Sequence, residues 1–522
     1  MNANISRVRE HLARALELHQ NGKLQDAERL YQKVLRLKPE HFDALHMLGA
    51  IALVNGRDEY AIDLLSRAIR QNARVAAAHW HLGLALMNRE RFEEAIQSFE
   101  RQIELQPDCL DPRLKIASAM SRIGRPDAAL ACCDRAVSSR PDAAPAHLAR
   151  AIALKDLEQH ERSLEACARA IELDPGSAEA WDKHGAALRD LGRLEEALGS
   201  HEKAIDLKPD FSLAYMHAGM ICLATGDYPK GWELYEKRAG GTAAHRSNSP
   251  RWTGNEPLEG VTLLLHSEQG LGDTIQFCRY ARLAELRGAR VVLSVPPKLR
   301  ALLRTLSPTI QVVSETDKPP RFDLQCSLMS LPHAFQTTLE SIPWSGPYLS
   351  AEPERTAHWR EKLGTTGFKV GICWQGSKLP IDVGRSFPVL LFQQLARIAG
   401  IRLVSLQKGP GSEQLDSIPS DLRIDNFGHT LDGGADAFLD TAAIMESLDL
   451  VITSDTSVAH LAGALGRPTW VVLKRVPDWR WLTEGEHCPW YPSHRLFRQE
   501  RLGDWPAVFD GVRNNLLRQL GH

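Results

Sequence analysis

A single spacing of 34 residues runs through the first half of this 522-residue chain. The prolines on that spacing are Pro39, Pro107, Pro141, Pro175 and Pro209, with Ala73 at the one vacant position. Small residues recur twelve positions earlier, at Ala27, Ala61, Ala95, Ala129, Ser163 and Ala197. A second small series is Ala15, Gly49, Gly83, Ala117, Ala151, Gly185 and Gly219, and glycines recur at Gly22, Gly56, Gly124, Gly192 and Gly226. Such a period predicts stacked copies of one small structural unit.

The residue types of the period predict a pair of antiparallel helices. Small residues let two helices approach closely, glycine closes the turn between them, and proline ends the second helix. The pattern resembles the tetratricopeptide repeat over about residues 8–240, with six good copies and a seventh in which Gly231 replaces the second-helix alanine. The resemblance implies a superhelical array with a groove for a protein or peptide. A spacer or a dimerisation surface is the alternative role.

Composition excludes several classes of protein. Lys and Arg number 63 against 65 Asp and Glu, a net charge of −2 that removes the usual reason to expect nucleic-acid binding. No apolar run reaches the length of a bilayer-spanning helix, and the N-terminus lacks the apolar core of a secretory signal. Nine cysteines without a CxxC pair argue against disulfides and zinc. We expect a cytoplasmic protein of several domains.

The second half changes from helical repeats to alternating strands and helices. A Gly-, Ser-, Asn- and Pro-rich linker is predicted at 241–257. Strands are predicted at 261–266, 289–295, 309–313, 322–326, 369–374, 401–407, 449–454 and 468–474, and helices at 386–399, 437–447, 456–465 and 505–520. This alternation predicts two parallel sheets facing a cleft, with ligands beyond the carboxyl ends of the strands.

Two turns in this half carry polar residues that could do chemistry. After the first strand, Gly270 and Gly272 precede Asp273, but Ile275 breaks the G-x-G-x-x-G pattern, which argues against a dinucleotide cofactor. In the later sequence SDTSVAH, hydroxyl side chains open a helix whose N-terminus would attract a phosphate. Ordinary helix capping is the alternative explanation of both turns.

The motifs GLGDTIQF and SDTSVAHLAGALGRP, in this order, are similar to the bacterial heptosyltransferases, which are inverting glycosyltransferases of the GT-B fold. The resemblance extends over about 255–520 and includes WQGS, RSFP, SLQKG and PDWRW. It implies a repeat array at 1–240, an acceptor-side Rossmann-like half at 258–345 and a nucleotide-sugar half at 346–504. A final helix within 505–522 would return to the first half.

By the same resemblance, Asp273 is the general base, and the diphosphate of the donor binds at Asp455, Thr456 and His460. Ser457 stands where the family has glycine, which either narrows the approach of phosphate or adds a hydroxyl donor. Arg279 replaces a family proline, so the acceptor side would differ. The other expected binding residues are Gly270 and Gly272 in the first turn, Lys378 or Arg385 on phosphate, and Gln407 and Lys408 near the nucleotide.

The function expected from this resemblance is metal-independent transfer of a sugar from a nucleotide sugar to an acceptor hydroxyl, with no cofactor. The repeat array would recruit the acceptor protein, a glycan or an assembly partner. One alternative is a non-catalytic adaptor whose second half merely binds a nucleotide or docks partners. Another is a nucleotide-sugar epimerase of similar form. The sequence does not identify the base, the sugar or the acceptor.

Overall fold

The small residues of the repeat lie between paired helices, where they allow close packing. We describe a computed structural model of the chain, in which residues 2–238, 249–377, 384–434 and 436–521 are described. A Cβ atom added at Gly49 would collide with Leu65, and one at Gly83 would collide with Phe99. Ala27 and its counterparts on the second helices are fully buried. The predicted helical repeat is therefore confirmed in its steric detail.

Within residues 2–238, the chain forms fourteen helices in seven consecutive pairs. They are α1 (Asn2–Gln20), α2 (Leu24–Leu37), α3 (Phe42–Val54), α4 (Asp58–Gln71), α5 (Ala76–Asn88), α6 (Phe92–Leu105), α7 (Asp111–Arg122), α8 (Pro126–Ser139), α9 (Ala144–Asp156), α10 (His160–Leu173), α11 (Ala178–Asp190), α12 (Leu194–Leu207), α13 (Ser212–Ala224) and α14 (Tyr228–Tyr235). Each proline of the 34-residue spacing follows a second helix, as predicted.

The turn inside each pair requires a left-handed residue at one position. The five predicted turn glycines all have positive φ, and the two vacant positions of that series are filled by Glu90 (φ 58°) and Glu158 (φ 57°). A residue with a Cβ atom is strained in this conformation, by about 1–2 kcal/mol. Geometry rather than residue type is therefore the invariant feature of the turn.

The chain divides into two compact units, and the division falls inside the repeat array. One unit holds Met1–Leu191 and Asp206–Lys208, and the other holds Gly192–Ile205 and Pro209–His522. Helices α13 and α14 therefore share a unit with both sheets. Residues 241–248 of the predicted linker lie outside the described residues. In the remainder, Trp252 is fully buried and Arg251 forms a bridge with Gln325, so this stretch is part of the folded unit.

The two predicted sheets are present, and every strand pair within them is parallel. The first has the order β3-β2-β1-β4, and the second has the order β10-β9-β8-β5-β6-β7. The strands are β1 (Thr262–His266), β2 (Arg290–Val295), β3 (Gln311–Ser314), β4 (Leu324–Ser327), β5 (Phe368–Cys373), β6 (Ile401–Ser405), β7 (Ile424–Asp425), β8 (Leu450–Ser454), β9 (Thr469–Leu473) and β10 (His494–Arg498). Strands β7 and β10, at the two edges of the second sheet, were not predicted.

Helices cover the sheets and connect their strands. They are α15 (Leu271–Phe277), α16 (Arg279–Leu286), α17 (Arg300–Leu303), α18 (Leu331–Ala334), α19 (Pro353–Leu363), α20 (Gln393–Ala396), α21 (Leu439–Met445), α22 (Ser457–Ala464) and α23 (Trp505–Leu520). Short 3₁₀ turns include Val389–Phe392 and Trp479–Trp481. Among the described residues, no helix is both long enough and apolar enough to cross a membrane.

Two expectations for these helices are wrong. The helix predicted at 386–399 is only a 3₁₀ turn followed by the four residues of α20. The final helix does not return to the first half. The apolar face of α23, which includes Phe509 and Val512, packs in the core of the second sheet with Phe387 and Ile372. Its apolar stripe predicted a buried face, but the stripe does not specify which sheet buries it.

The left-handed turn positions give a stability test. Glu158→Gly should raise the free energy of unfolding by about 1 kcal/mol, because glycine adopts positive φ without strain. Gly124→Ala, at the equivalent turn position, should lower it by a similar amount, since no neighbouring atom lies within 4 Å of the added Cβ and only the backbone cost remains. Urea unfolding followed by circular dichroism measures both. A change of the same sign in both variants would contradict this account of the turn.

Candidate functional site

The predicted site segments leave strands that lie next to the reversal of strand order in each sheet. In the first sheet the order reverses between β1 and β4, and in the second between β5 and β8. Helix α15 follows β1, and α22 follows β8. Ligands of open parallel sheets bind at such points, outside the carboxyl ends of the strands. The topology therefore places both segments where a ligand is expected.

The first turns of α15 and α22 touch each other. A Cβ atom added at Gly272 would lie 2.9 Å from Cδ2 of His460 and 3.3 Å from Cα of Ser457. The backbone of the first half thus reaches the N-terminus of α22 at a point where only glycine fits. The structure brings Asp273 and the Asp455–His460 segment into one site.

Asp273 is held in place through both of its carboxylate oxygens. Oδ2 accepts the backbone N–H of Gly270 at 2.8 Å, closing the first turn of α15, and Oδ1 accepts Nη2 of Arg480 at 2.5 Å. Burial raises the pKa of Asp273, and the charge of Arg480 opposes this rise without cancelling it. A carboxylate with a raised pKa is a stronger base than an exposed one. Asp273 therefore caps its helix and is also suited to accept a proton.

Arg480 is the residue that sequence reasoning missed. Its buried guanidinium comes from the second half, beyond β9, and reaches three side chains. Besides Asp273 it donates to Oδ1 of Asp478 at 2.8 Å and to Oε1 of Gln276 at 2.7 Å. Its carbon Cζ lies 4.3 Å from the ring centroid of Trp479. The motif PDWRW contained this arginine, but nothing in the local pattern pointed to partners about 200 positions away.

Asp455 directly follows β8 and carries a strongly shifted pKa. Burial and the nearby carboxylate of Asp478 raise the pKa of Asp455 to about 6, against the opposing charges of Arg385 and Arg480. Arg385 therefore lies close enough to act on the site electrostatically, as it also does on His460. Of the two basic candidates, Lys378 lies outside the described residues.

The N-terminus of α22 offers backbone N–H groups to a ligand. Thr456 is the N-cap residue in extended conformation, and its side chain makes no capping hydrogen bond. Its hydroxyl instead contacts Oγ1 of Thr453 at 3.2 Å and lies 3.8 Å from Sγ of Cys373, at the end of β5. Because the first N–H groups of a helix lack intrahelical partners and carry partial positive charge, an anion fits here.

His460 is a neutral, packed side chain. Its Nδ1 lies 3.1 Å from the hydroxyl of Tyr491, and its ring stacks on Trp481 at 5.5 Å. Burial and the charge of Arg480 hold the pKa of His460 well below its usual range. It can therefore shape the site or donate a hydrogen bond, but it does not supply positive charge at neutral pH.

Arg279, expected to alter the acceptor side, instead joins the two halves inside the protein. The guanidinium donates to the backbone oxygen of Trp490 at 3.0 Å and to the hydroxyl of Tyr348 at 3.0 Å. Its Cζ also lies 4.7 Å from the ring centroid of Tyr491. Arg279 is 4% exposed, so its cation is enclosed by aromatic rings and backbone oxygens. This residue is a structural cross-link.

Gln407 and Lys408 bind the protein's own backbone. Oε1 of Gln407 accepts the N–H groups of Trp374 and Gln375, and Nε2 donates to Gln375 and Pro410. Nζ of Lys408 donates to the backbone oxygen of Leu431 at 2.8 Å. Gln407 thus braces the loop after β5, beside Cys373 and the site. Gly270 is exposed at the start of α15.

Comparison with known proteins identifies the repeats. The tetratricopeptide repeat family matches residues 12–73, 61–108 and 183–244, and further forms of the repeat match 86–153 and 144–177. The first part of the chain therefore carries tetratricopeptide repeats, a class of domain that suggests protein partners. The second part consists of two parallel α/β sheets.

Proteins similar to this chain cover part of it. Protein FlbA of Caulobacter vibrioides is 30% identical over 336 residues, covering 59% of this chain and 55% of FlbA. The chain thus spans little more than half the length of that relative. The solved structure of YrrB, described as a TPR protein with an unusual peptide-binding site, is 23% identical and covers 35% of this chain and 95% of YrrB, with a TM-score of 0.29. A tetratricopeptide repeat protein from Parabacteroides merdae is 16% identical and covers 44% and 92%, with a TM-score of 0.41.

The shifted pKa of Asp455 gives a pH-dependent stability test. The folded protein keeps the proton of Asp455 to about pH 6, whereas the unfolded chain loses it near 3.8, so ionisation costs stability between these values. Asp455→Asn removes that cost. The free energy of unfolding of the variant should exceed that of the parent protein by an amount that grows as the pH rises from 4. This difference should level off above pH 6, at about 1–3 kcal/mol.

Asp440→Asn is a control for which the stability difference should change with pH in the opposite direction. Burial raises the pKa of Asp440, but hydrogen bonds from Trp359 and Arg355 outweigh it and leave the pKa below its usual value. This variant should therefore lose stability relative to the parent as the pH rises towards the ordinary carboxyl pKa of 3.8. Denaturant unfolding at a series of pH values measures both differences. A pH-independent difference for Asp455→Asn would contradict the electrostatic description of the site.

Proposed function

We propose that this chain is an inverting glycosyltransferase that moves a sugar from a nucleotide sugar to an acceptor hydroxyl. The observation that supports this most strongly is the contact between the first turns of α15 and α22, at Gly272, Ser457 and His460. That contact sets a basic carboxylate beside a helix N-terminus. A transferase of this kind needs a base for the acceptor and an anion site for the leaving group.

In the proposed reaction, the diphosphate of the donor lies at the N-terminus of α22, near the charge of Arg385. Asp273 takes the proton of the acceptor hydroxyl while the oxygen of that hydroxyl forms a bond to the anomeric carbon. The bond from that carbon to the diphosphate oxygen breaks on the opposite face, so the configuration inverts. The nucleoside diphosphate leaves with the bonding electron pair. Helix dipole and arginine stabilise the developing charge, and the scheme uses no metal ion or cofactor.

Arg480 orients the carboxylate of Asp273 and, together with Asp478, balances the change in its charge. Its hydrogen bond to Oδ1 fixes the carboxylate plane, while burial keeps the carboxylate basic. Proton transfer to the free lone pairs of Asp273 yields a neutral acid beside Arg480, whose charge remains balanced by Asp478. The second carboxylate thus lets the first change its charge without leaving an isolated buried cation.

The repeats would recruit the acceptor or a partner that carries it. A protein or peptide acceptor fits the general use of tetratricopeptide arrays, and a glycan acceptor fits the heptosyltransferase resemblance. The proposal places the protein in the cytoplasm, consistent with free thiols at the cysteines of the described ranges.

A non-catalytic adaptor is the competing function, and the bonding of Asp273 favours it. Both oxygens of that carboxylate already accept hydrogen bonds within the protein, as a purely structural residue would. Release of nucleoside diphosphate from a nucleotide sugar separates the two functions, because an adaptor binds without turnover.

Asp273→Asn tests the proposal. A general base of this type contributes about 10²–10⁴ in rate, so nucleoside diphosphate release from a panel of UDP-, GDP-, ADP- and dTDP-sugars should fall by that factor. The rise in melting temperature with the matching nucleoside diphosphate should persist, since the N-terminus of α22 is unchanged. Asp317→Asn, at an exposed position after β3, is the matched control and should release product at the parental rate. Turnover by Asp273→Asn at the parental rate would remove Asp273 from the mechanism.

A further inference from the structure

The last repeat helix is inserted between parts of both halves. On the first half, Nε1 of Trp232 donates to the backbone oxygen of Thr337 at 3.1 Å. On the second half, Nε1 of Trp490 donates to the hydroxyl of Tyr228 at 3.1 Å, and the rings of Trp232 and Trp479 meet edge to face at 5.2 Å. Helix α14 is therefore packed into the α/β unit through large buried side chains.

The same helix holds the loop that leads to Asp273. Arg238, three residues beyond α14, donates to both carboxylate oxygens of Glu268, at 2.7 and 2.5 Å. The next residue, Gln269, donates from Nε2 to the hydroxyl of Tyr235 at 2.8 Å. The following residue, Gly270, donates its N–H to Asp273. Three consecutive loop residues thus connect the repeat end to the carboxylate.

The Arg238–Glu268 pair is enclosed by protein. The side chain of Arg238 is 1% exposed, and that of Glu268 is 11% exposed. Arg238 also donates to Ser330 at 3.1 Å, and the hydroxyl of Ser327, at the end of β4, donates to Glu268. Burial raises the pKa of Glu268, but Arg238 outweighs burial and holds that pKa below its usual value. The pair is therefore ionised and fixed at neutral pH, which makes it a rigid anchor for the loop.

Tyr235 also lies near the reactive groups. Its hydroxyl acts electrostatically on Arg480, and the charge of Asp273 acts on the hydroxyl in turn. Tyr235 is 3% exposed, and its ring packs on Trp479 at 6.5 Å. The side chain thus lies close to the Asp273–Arg480 pair and also accepts a hydrogen bond from Gln269 in the loop that leads to Asp273.

We propose that Tyr235 and the Arg238–Glu268 pair are positioning residues for Asp273, so that the terminal repeat is a working part of the transferase site. Their role in catalysis rests on the proposed function of Asp273. By holding residues 268–270, they fix the N–H of Gly270 against the carboxylate. That hydrogen bond lowers the pKa of Asp273 and sets its orientation, so movement of α14 changes both.

The test uses the full chain with Tyr235→Phe and Glu268→Gln. Hydrogen–deuterium exchange of the amides at 268–274 should rise about 5-fold in Tyr235→Phe, which removes one hydrogen bond. It should rise further in Glu268→Gln, which breaks a buried charged pair. Tyr31→Phe is the matched control, because Tyr31 is also a fully buried tyrosine on the second helix of a repeat. It should leave exchange at 268–274 unchanged.

Turnover gives the second readout. In Tyr235→Phe and in Glu268→Gln, kcat for nucleoside diphosphate release should fall about 5- to 30-fold, with little change in KM for the donor. The acid limb of the kcat profile should move to higher pH, because Asp273 loses a hydrogen bond that favours its ionised form. General loss of structure would lower the active fraction without moving this limb.

The outcomes separate the two proposals. Faster exchange at 268–274 without any turnover in the parent protein would support the positioning role and contradict the transferase. Unchanged exchange in both variants would overturn the positioning role, whatever the turnover. Faster exchange with an unmoved acid limb and parental kcat would show that the loop is anchored by α14 but that Asp273 does not depend on it, which also overturns the inference.

Discussion

A buried guanidinium connects the two sheets of this protein. Arg480 follows strand β9 of the second sheet and donates a hydrogen bond to Asp273 in the first half. It also donates to the neighbouring carboxylate of Asp478. Removing one partner of a buried ion pair costs about 3–5 kcal/mol, because the other charge is left uncompensated. The buried ion pair with Arg480 therefore fixes the position of Asp273 relative to the second half, in addition to the packing of the helices. The contact between α15 and α22 depends on this constraint.

Other buried groups reinforce the same junction from different parts of the chain. Arg279 binds backbone and tyrosine oxygens of the second half, and α14 contacts Thr337 on one side and Trp490 on the other. A site assembled in this way is preorganised, since its donors and acceptors need little rearrangement when charge develops. The repeat array thus contributes its last helix to the unit that contains the candidate site, which a spacer would not need to do.

The repeat and the inner strands could be predicted because each position has a local steric cause. Gly83 must be small beside Phe99, and apolar runs such as β8 are buried on both faces. The edge strand β10 was not predicted because it reads HRLFR, in which only two neighbouring residues, Leu496 and Phe497, are apolar. Gln407, expected near the nucleotide, binds backbone groups of the loop after β5, and these contacts depend on loop geometry that the local sequence does not specify. The ion pair of Arg480 with Asp273 spans 207 positions and leaves no local pattern.

The most direct test of the account is a crystal structure of the full chain with the nucleoside diphosphate that stabilises it most. The account predicts the diphosphate at the first turn of α22, accepting the N–H of Ser457 near Arg385, with Asp273 still bound to Arg480 on the facing side. A diphosphate bound elsewhere, or an Asp273 carboxylate turned away from that turn, would contradict it.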